Sequence, residues 1–178
     1  MDEKTILDHD PSLYDEAARL VELCAGAGLT VGCAESCTGG LVSGCLTAVP
    51  GSSAVVRGGV VSYAIPVKHD VLKVPYEGLL DVPEIGAVSS ECALAMARGA
   101  RAVLSCDVAA SITGIAGPGG AEPGKPVGTV WMARDSVASA QSRLFCFDGP
   151  RAEVRRQACH AAIGLLHEGI VELLGQRS

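Results

Sequence analysis

Aromatic residues are scarce in this chain: Trp, Tyr and Phe together supply 3% of its 178 residues. A core built on rings is therefore excluded. The interior has to come from Val, Leu, Ile, Ala and Cys, packed closely with help from 22 glycines. A chain of this length suggests one domain and buries roughly 70% of its unfolded surface. Basic charge is also short. The net charge of -6 argues against a nucleic-acid partner held by a basic face, although a local basic pocket for one phosphate stays open. No segment reaches the ~18 apolar residues that span a bilayer. Met1-Asp2-Glu3-Lys4 is too polar for a secretory signal. No membrane partner is expected, and the cytoplasm is the default location.

Cysteine is plentiful, with eight residues, but the C-x-x-C pair that marks many metal and redox sites is missing. Most of the eight lie in apolar runs, so buried thiols acting as small hydrophobes explain them best. Cys33 and Cys37 are four apart with no His or second Cys pair nearby, which is the wrong spacing for zinc. Neither a metal nor an organic cofactor is expected. The four histidines, His9, His69, His160 and His167, also offer no obvious general base.

The periodicities that are present alternate between strand and helix. Residues 1–11 read as a tail, and 12–178 as a single domain. Ser12 caps an amphipathic helix carrying Leu13, Ala17, Leu20, Val21 and Cys24. Leu29 to Val31 reads as a buried strand, and a helix follows from about Gly39 to Ala48. Residues 54–63 read as a strand whose Gly58-Gly59 pair marks a bulge or a close approach. Ile65-Pro66 starts a short helix bearing Lys68. Residues 74–88 are irregular, and Ser89-Ser90-Glu91 begins a helix to about Leu104. Val108–Thr113, Val127–Ala133 and Arg143–Phe147 read as strands, and Arg151 to Leu174 as a long helix. This order implies an α/β sandwich around a mixed, largely parallel sheet.

Ligand sites in such sheets collect at the carboxyl ends of strands. Three loops qualify: the Glu35-Ser36-Cys37-Thr38 turn, the segment from Tyr63 to Lys68, and the Thr113–Gly120 loop. In the first, Ser36 sits between strand and helix, where turn amides and the helix dipole favour negative charge. It reads as a nucleophile, or else Ser36 or Thr38 is a plain helix cap. Lys68 reads either as its base, with a pKa lowered by burial, or as a surface charge. Tyr63 reads either as a proton relay or as a strand-end tyrosine with a wet hydroxyl. Gly119 to Lys125 matches the spacing of a phosphate-binding P-loop, but Pro126 follows where a hydroxyl is needed, and a strand follows where a helix is needed.

Ala34-Glu35-Ser36-Cys37-Thr38-Gly39-Gly40 resembles the AESCTGG signature of the CinA carboxy-terminal domain family. Further blocks resemble the family in family order: Gly51-Ser52-Ser53, Val61-Ser62-Tyr63, Gly86-Ala87-Val88-Ser89, Thr113-Gly114-Ile115-Ala116-Gly117-Pro118, Lys125 to Val130, and Val154-Arg155-Arg156-Gln157. The resemblance implies a three-layer α/β/α fold and, for stand-alone members, hydrolysis of the carboxamide of nicotinamide mononucleotide. It places a catalytic serine, lysine and tyrosine on Ser36, Lys68 and Tyr63. It places substrate contacts on Thr38, Gly39, Gly40, Thr113 and Gly114, with phosphate on Arg155 or, second, Arg156. Many members carry an asparagine where this chain has Ile65, which bears on substrate choice. Longer members carry a molybdopterin-like domain ahead of this one. Two other readings stay open: a non-catalytic nucleotide-binding module linked to competence or DNA damage, and an amidohydrolase for another pyridine nucleotide. A homo-oligomer is expected from the apolar helices.

Overall fold

Strand β1 (Val31–Glu35) is buried along its whole length and lies further on than the Leu29–Val31 run expected to form it, sharing only Val31 with that run. In the computed structural model, which describes residues 10–177, it lies inside a five-stranded sheet of order β2-β1-β3-β4-β5. The other strands are β2 (Val56–Val61), β3 (Val108–Gly114), β4 (Thr129–Ser136) and β5 (Ala140–Cys146). The sheet is mixed. β1 runs parallel to β2 and β3, whereas β3–β4 and β4–β5 are antiparallel. A short turn at residues 137–139 joins β4 to β5, so no crossover helix is needed there. The register between β1 and β2 shifts at Arg57, which is the irregularity that the Gly58-Gly59 pair signals.

Five helices cover the two faces: α1 (Pro11–Ala27), α2 (Leu41–Thr47), α3 (Ile65–Asp70), α4 (Ser90–Leu104) and α5 (Arg151–Arg177). Side chains alternate across the strands. Val31, Cys33, Ala110, Ile112, Val130 and Met132 join the core under α1, α2 and α5. Ala34 and Ala109 join the opposite core with Cys92, Met96 and Ala100 of α4, together with Leu72 and Val74. Small residues on this second face let α4 lie close. A Cβ added at Gly99 would stand 2.0 Å from the carbonyl oxygen of Leu72. Seven of the eight cysteines are buried and all eight are free thiols; Cys146 alone is exposed. The stretch expected to be irregular holds one distorted helical turn at Tyr76–Leu80, broken by extended backbone at Glu77.

The start of α1 differs from the expectation. Asp10, not Ser12, is the cap: its carboxylate accepts from the Leu13 amide at 3.3 Å, and Pro11 takes the first helical position. Ser12 instead donates its hydroxyl to Asp10 at 2.5 Å. Residues 10 and 11 therefore belong to the domain, and the rest of the expected tail, 1–9, lies outside the described residues. α5 also has a property the sequence reading passed over. Its 26 residues Arg151–Gln176 are long and apolar enough to cross a membrane. In the fold that apolar surface lies against the sheet and α1, with Val154, Ala158, Ala162, Leu166 and Ile170 buried.

Asp10 does more than cap. Its Oδ2 accepts from Arg156 at 2.5 Å and lies 2.8 Å from His160 Nε2, while His160 Nδ1 lies 2.8 Å from Glu16 Oε2. Both ring nitrogens face carboxylates, an arrangement that favours the doubly protonated, cationic ring, while Nε2 also lies 3.2 Å from Arg156 Nη1. Burial works against that charge, but the hydrogen bonds to Asp10 and Glu16 outweigh it and raise the His160 pKa. A pKa raised by folding contributes stability that is present below the unfolded value and lost as pH rises through the folded one. The melting-temperature difference between the parent and His160→Gln should therefore be largest near pH 5.5 and shrink toward pH 8.5, measured by thermal denaturation. A difference that does not vary with pH would count against the charged ring.

Candidate active site

Glu35 ends β1 with a side chain that is fully buried. Its carboxylate turns under the following helix. Oε2 accepts from the amides of Gly40 at 2.9 Å and Val42 at 3.2 Å, and Oε1 from the Ser43 amide at 2.9 Å and the Ser43 hydroxyl at 2.6 Å. The N-terminus of α2 is thus capped from inside by the preceding strand, and the dipole favours the negative charge it meets. The cap residue itself is Gly40, with φ +97° and no side-chain hydrogen bond. This removes two expectations. Neither Ser36 nor Thr38 caps the helix, and the helix amides are not open to a ligand, because Glu35 already occupies them.

Freed from capping, the turn from Ser36 to Gly39 projects into the cleft beyond β1 and β3. The Ser36 amide continues the parallel ladder by donating to Ile112 O at 2.9 Å, and Gly39 N–H closes on Ser36 O at 3.1 Å. The Ser36 side chain is half-buried, and its Oγ lies 2.9 Å from Lys68 Nζ. Lys68 comes from α3 and is 1% exposed. Its second partner is the carbonyl oxygen of Ser62, at 2.5 Å. Burial pulls the Lys68 pKa below its ordinary 10.5. Two nearby thiols, Cys92 and Cys37, act the other way only weakly, because burial holds each of them near 11 and therefore neutral.

Tyr63 is not part of this pair. It is 63% exposed, and its hydroxyl accepts from Arg151 Nη2 at 3.3 Å. Adjacent residues of an extended segment point to opposite sides, so the burial of Ser62 turns Tyr63 outward. The expected Tyr63 link in the Ser36–Lys68 hydrogen-bond chain is absent here, and the Ser62 carbonyl orients the lysine instead. Thr113 is buried under the cleft floor and donates to Ala87 O at 2.6 Å, which pins the residue 86–89 segment over β3. Gly114 is crowded by β4 rather than open to a ligand: a Cβ there would stand 2.6 Å from Thr129 O.

α5 brings one of the two expected arginines to the turn. Arg155 Nη2 donates to Thr38 O at 2.7 Å and lies beside Gly39. Arg155 Nε and Thr38 Oγ1 are both buried without a partner. Arg156 points away, held by Glu153, Asp10 and His160, because consecutive helical residues are about 100° apart. The residue that sequence reasoning missed is Arg151. One turn before Arg155 on the same face, it donates to Gly117 O at 2.9 Å as well as to Tyr63. The i, i+4 spacing of Arg151 and Arg155 was the available signal. A cleft of about 650 Å³ is lined in part by Ile65, Leu80, Gly86, Ala87 and Lys125, and Ile65 ties it to the helix α3 that carries Lys68. Ile65, the departure from the family pattern, is in its wall. Among the described residues no group of three or more His, Cys, Asp or Glu side chains gathers to hold a metal ion.

Glu35 can be tested apart from any chemistry. Glu35→Gln keeps the shape but puts an N–H₂ group where amides already point. It should cost about 1–3 kcal/mol in urea denaturation, the usual penalty for an unmatched buried donor. An unchanged midpoint would show that the carboxylate does not hold the turn.

Comparison with known proteins agrees with this geometry. The family model for the CinA C-terminal domain matches residues 14–170. A CinA-like protein of Geotalea uraniireducens is 46% identical over 146 residues, which is 82% of this chain and 34% of that protein. One from Gemmatimonas aurantiaca is 43% identical over 161 residues, 90% of this chain and 37% of its own length. The chain thus spans about a third of these relatives. Solved structures match almost end to end. The competence/damage inducible protein CihA of Agrobacterium tumefaciens superposes with a TM-score of 0.83 at 39% identity, covering 88% of this chain and 94% of that one. A CinA superfamily protein from Klebsiella pneumoniae gives 0.83 at 33% identity, with 89% and 98% covered. With the signature turn, the mixed sheet and both kinds of relative in agreement, the chain belongs to the CinA C-terminal domain family.

Proposed function

We propose that this domain is an amide hydrolase whose substrate is the carboxamide of nicotinamide mononucleotide, with Ser36 as nucleophile and Lys68 as general base. The observation that carries the reading is the 2.9 Å approach of Ser36 Oγ to a lysine that is 1% exposed and has no carboxylate partner among the described residues. A neutral lysine amine has two N–H bonds and one lone pair. One N–H directed at the Ser62 carbonyl anchors the amine, and its lone pair can then accept the Ser36 proton across the 2.9 Å contact. Burial without a counter-ion is the condition that favours the neutral amine.

The reaction then runs in two halves. Lys68 Nζ takes the Ser36 proton as Oγ bonds to the carboxamide carbon. The oxyanion that forms needs donors, and the amides of Cys37 and Thr38, directly after the nucleophile, are outside the hydrogen bonds that close the turn. The Lys68 ammonium returns its proton to the leaving nitrogen, the C–N bond breaks, and ammonia departs. Water next gives a proton to Lys68 and its oxygen to the acyl carbon, which frees nicotinic acid mononucleotide and restores Ser36. The unpartnered Arg155 Nε and Thr38 Oγ1 are the buried polar groups left for the substrate's phosphate and hydroxyls.

Purified protein incubated with nicotinamide mononucleotide should release ammonia, while Ser36→Ala and Lys68→Met should each lose at least about 10³-fold in kcat. Binding of the substrate to Ser36→Ala, with no release by the parent, would move the reading to a nucleotide-binding module. The rate should rise with pH along a single-proton limb that ends below 10.5, as Lys68 becomes neutral. Stability carries the same sign. The unfolded chain holds the lysine proton to higher pH than the folded one, so the parent should gain stability relative to Lys68→Met as pH rises toward 10.5. A gain in the opposite direction would contradict a depressed pKa.

A further inference from the structure

On the α4 side of the sheet lies a second cavity, of about 460 Å³. It is separate from the larger cleft but shares Glu84 and Lys125 with it. Its walls are largely apolar: Ile85 and Val88 on one side, Trp131 and Leu144 on the other. Trp131 and Leu144 are cross-strand partners, so they present one continuous surface. Leu144 is 47% exposed, unusually open for a leucine flanking a tryptophan. Thr129, two residues before Trp131 and on the same face, lines the cavity. It is 4% exposed, and its Oγ1 is buried with no hydrogen-bond partner. A hydroxyl is rarely left so in a finished interior, and a group that completes it from the cavity would supply the missing bond.

The charge at the mouth narrows the choice of ligand. Glu84 and Glu91 are exposed at the rim, and neither forms an ion pair among the described residues. Lys125 does not offset them, since its Nζ donates to Ile85 O at 2.9 Å and pairs with Glu122 at 3.3 Å. The rim charge therefore disfavours an anion, whereas a ligand's hydroxyl groups find carboxylate acceptors there. We infer that this cavity binds a neutral nucleoside. The base lies against Trp131 between Val88 and Leu144 and completes the Thr129 hydroxyl, and the ribose hydroxyls donate to Glu84 and Glu91. This site is independent of the proposed amide chemistry, whose phosphate-facing arginines are on α5.

Trp131 is the only tryptophan in the chain, so its emission reports on this cavity alone. Adenosine titrated into the full chain should quench that emission saturably, with matching heat in calorimetry. Adenosine monophosphate should bind at least ten-fold more weakly, and Glu84→Gln combined with Glu91→Gln should narrow that gap. Thr129→Val, which removes only the unpartnered hydroxyl, should weaken adenosine five-fold or more. Leu144→Glu, on an exposed position, should abolish binding and leave ammonia release from nicotinamide mononucleotide unchanged. The inference is overturned if adenosine gives neither saturable quenching nor heat, or if both variants bind it as the parent does. Adenosine binding without ammonia release would instead sink the amidohydrolase reading alone.

Discussion

A buried carboxylate governs the geometry of this domain. Glu35 has no cationic partner close by; it is held by three backbone amides and a serine hydroxyl. Those bonds run from the end of a central strand to the start of the helix that follows it. Between the two points the chain has to make a tight excursion, and that excursion is the turn bearing Ser36. Satisfying the helix from below leaves the turn's upper surface without structural duties. A serine used as a cap would have its hydroxyl tied to a backbone amide. Here the hydroxyl meets a lysine instead.

Lysine in such a position is costly to the fold. Burial disfavours its charged form, and the nearest groups that respond to it are neutral thiols. The fold tolerates it through one carbonyl, that of Ser62, and one hydroxyl. Both come from segments that directly follow the carboxyl ends of neighbouring parallel strands, β2 and β1. The parallel half of the sheet therefore builds the reactive pair, and the antiparallel half, β4 and β5, carries the separate cavity around Trp131. The two regions differ in charge as well: arginines from α5 border the first, and unpaired glutamates border the second.

Much of this was legible beforehand. Apolar runs and glycine punctuation located all five strands, and the long helices were placed to within a few residues. The Ser36 turn and the Tyr63–Lys68 segment could be singled out because each follows the end of a strand, while the family resemblance, not the local pattern, gave Ser36 and Lys68 their roles. What could not be read were contacts that skip the local pattern. Asp10 caps α1 from a position two residues earlier than the serine that looked right, because Pro11 can only start a helix. The family resemblance put Tyr63 beside the lysine, yet alternation along the chain turns it outward. Arg155 and Arg156 are indistinguishable in sequence, and only the helical rotation sends one to the turn and the other to Asp10. Glu35 looked like an ordinary strand-end acid, since nothing in its neighbours announces that five residues later the chain will need an anion beneath it.

The dependence of the Ser36 turn on Arg155 sets an order of events during synthesis. The guanidinium that binds the Thr38 carbonyl is 117 residues further along the chain. Strands β1 to β3 can pair, and α2 can settle on Glu35, well before α5 leaves the ribosome. At that stage serine and lysine can already be neighbours, but the turn between them lacks its outer brace, and one face of the sheet is still bare. The outer brace of the turn and the cover over that face of the sheet thus arrive together, with the same helix.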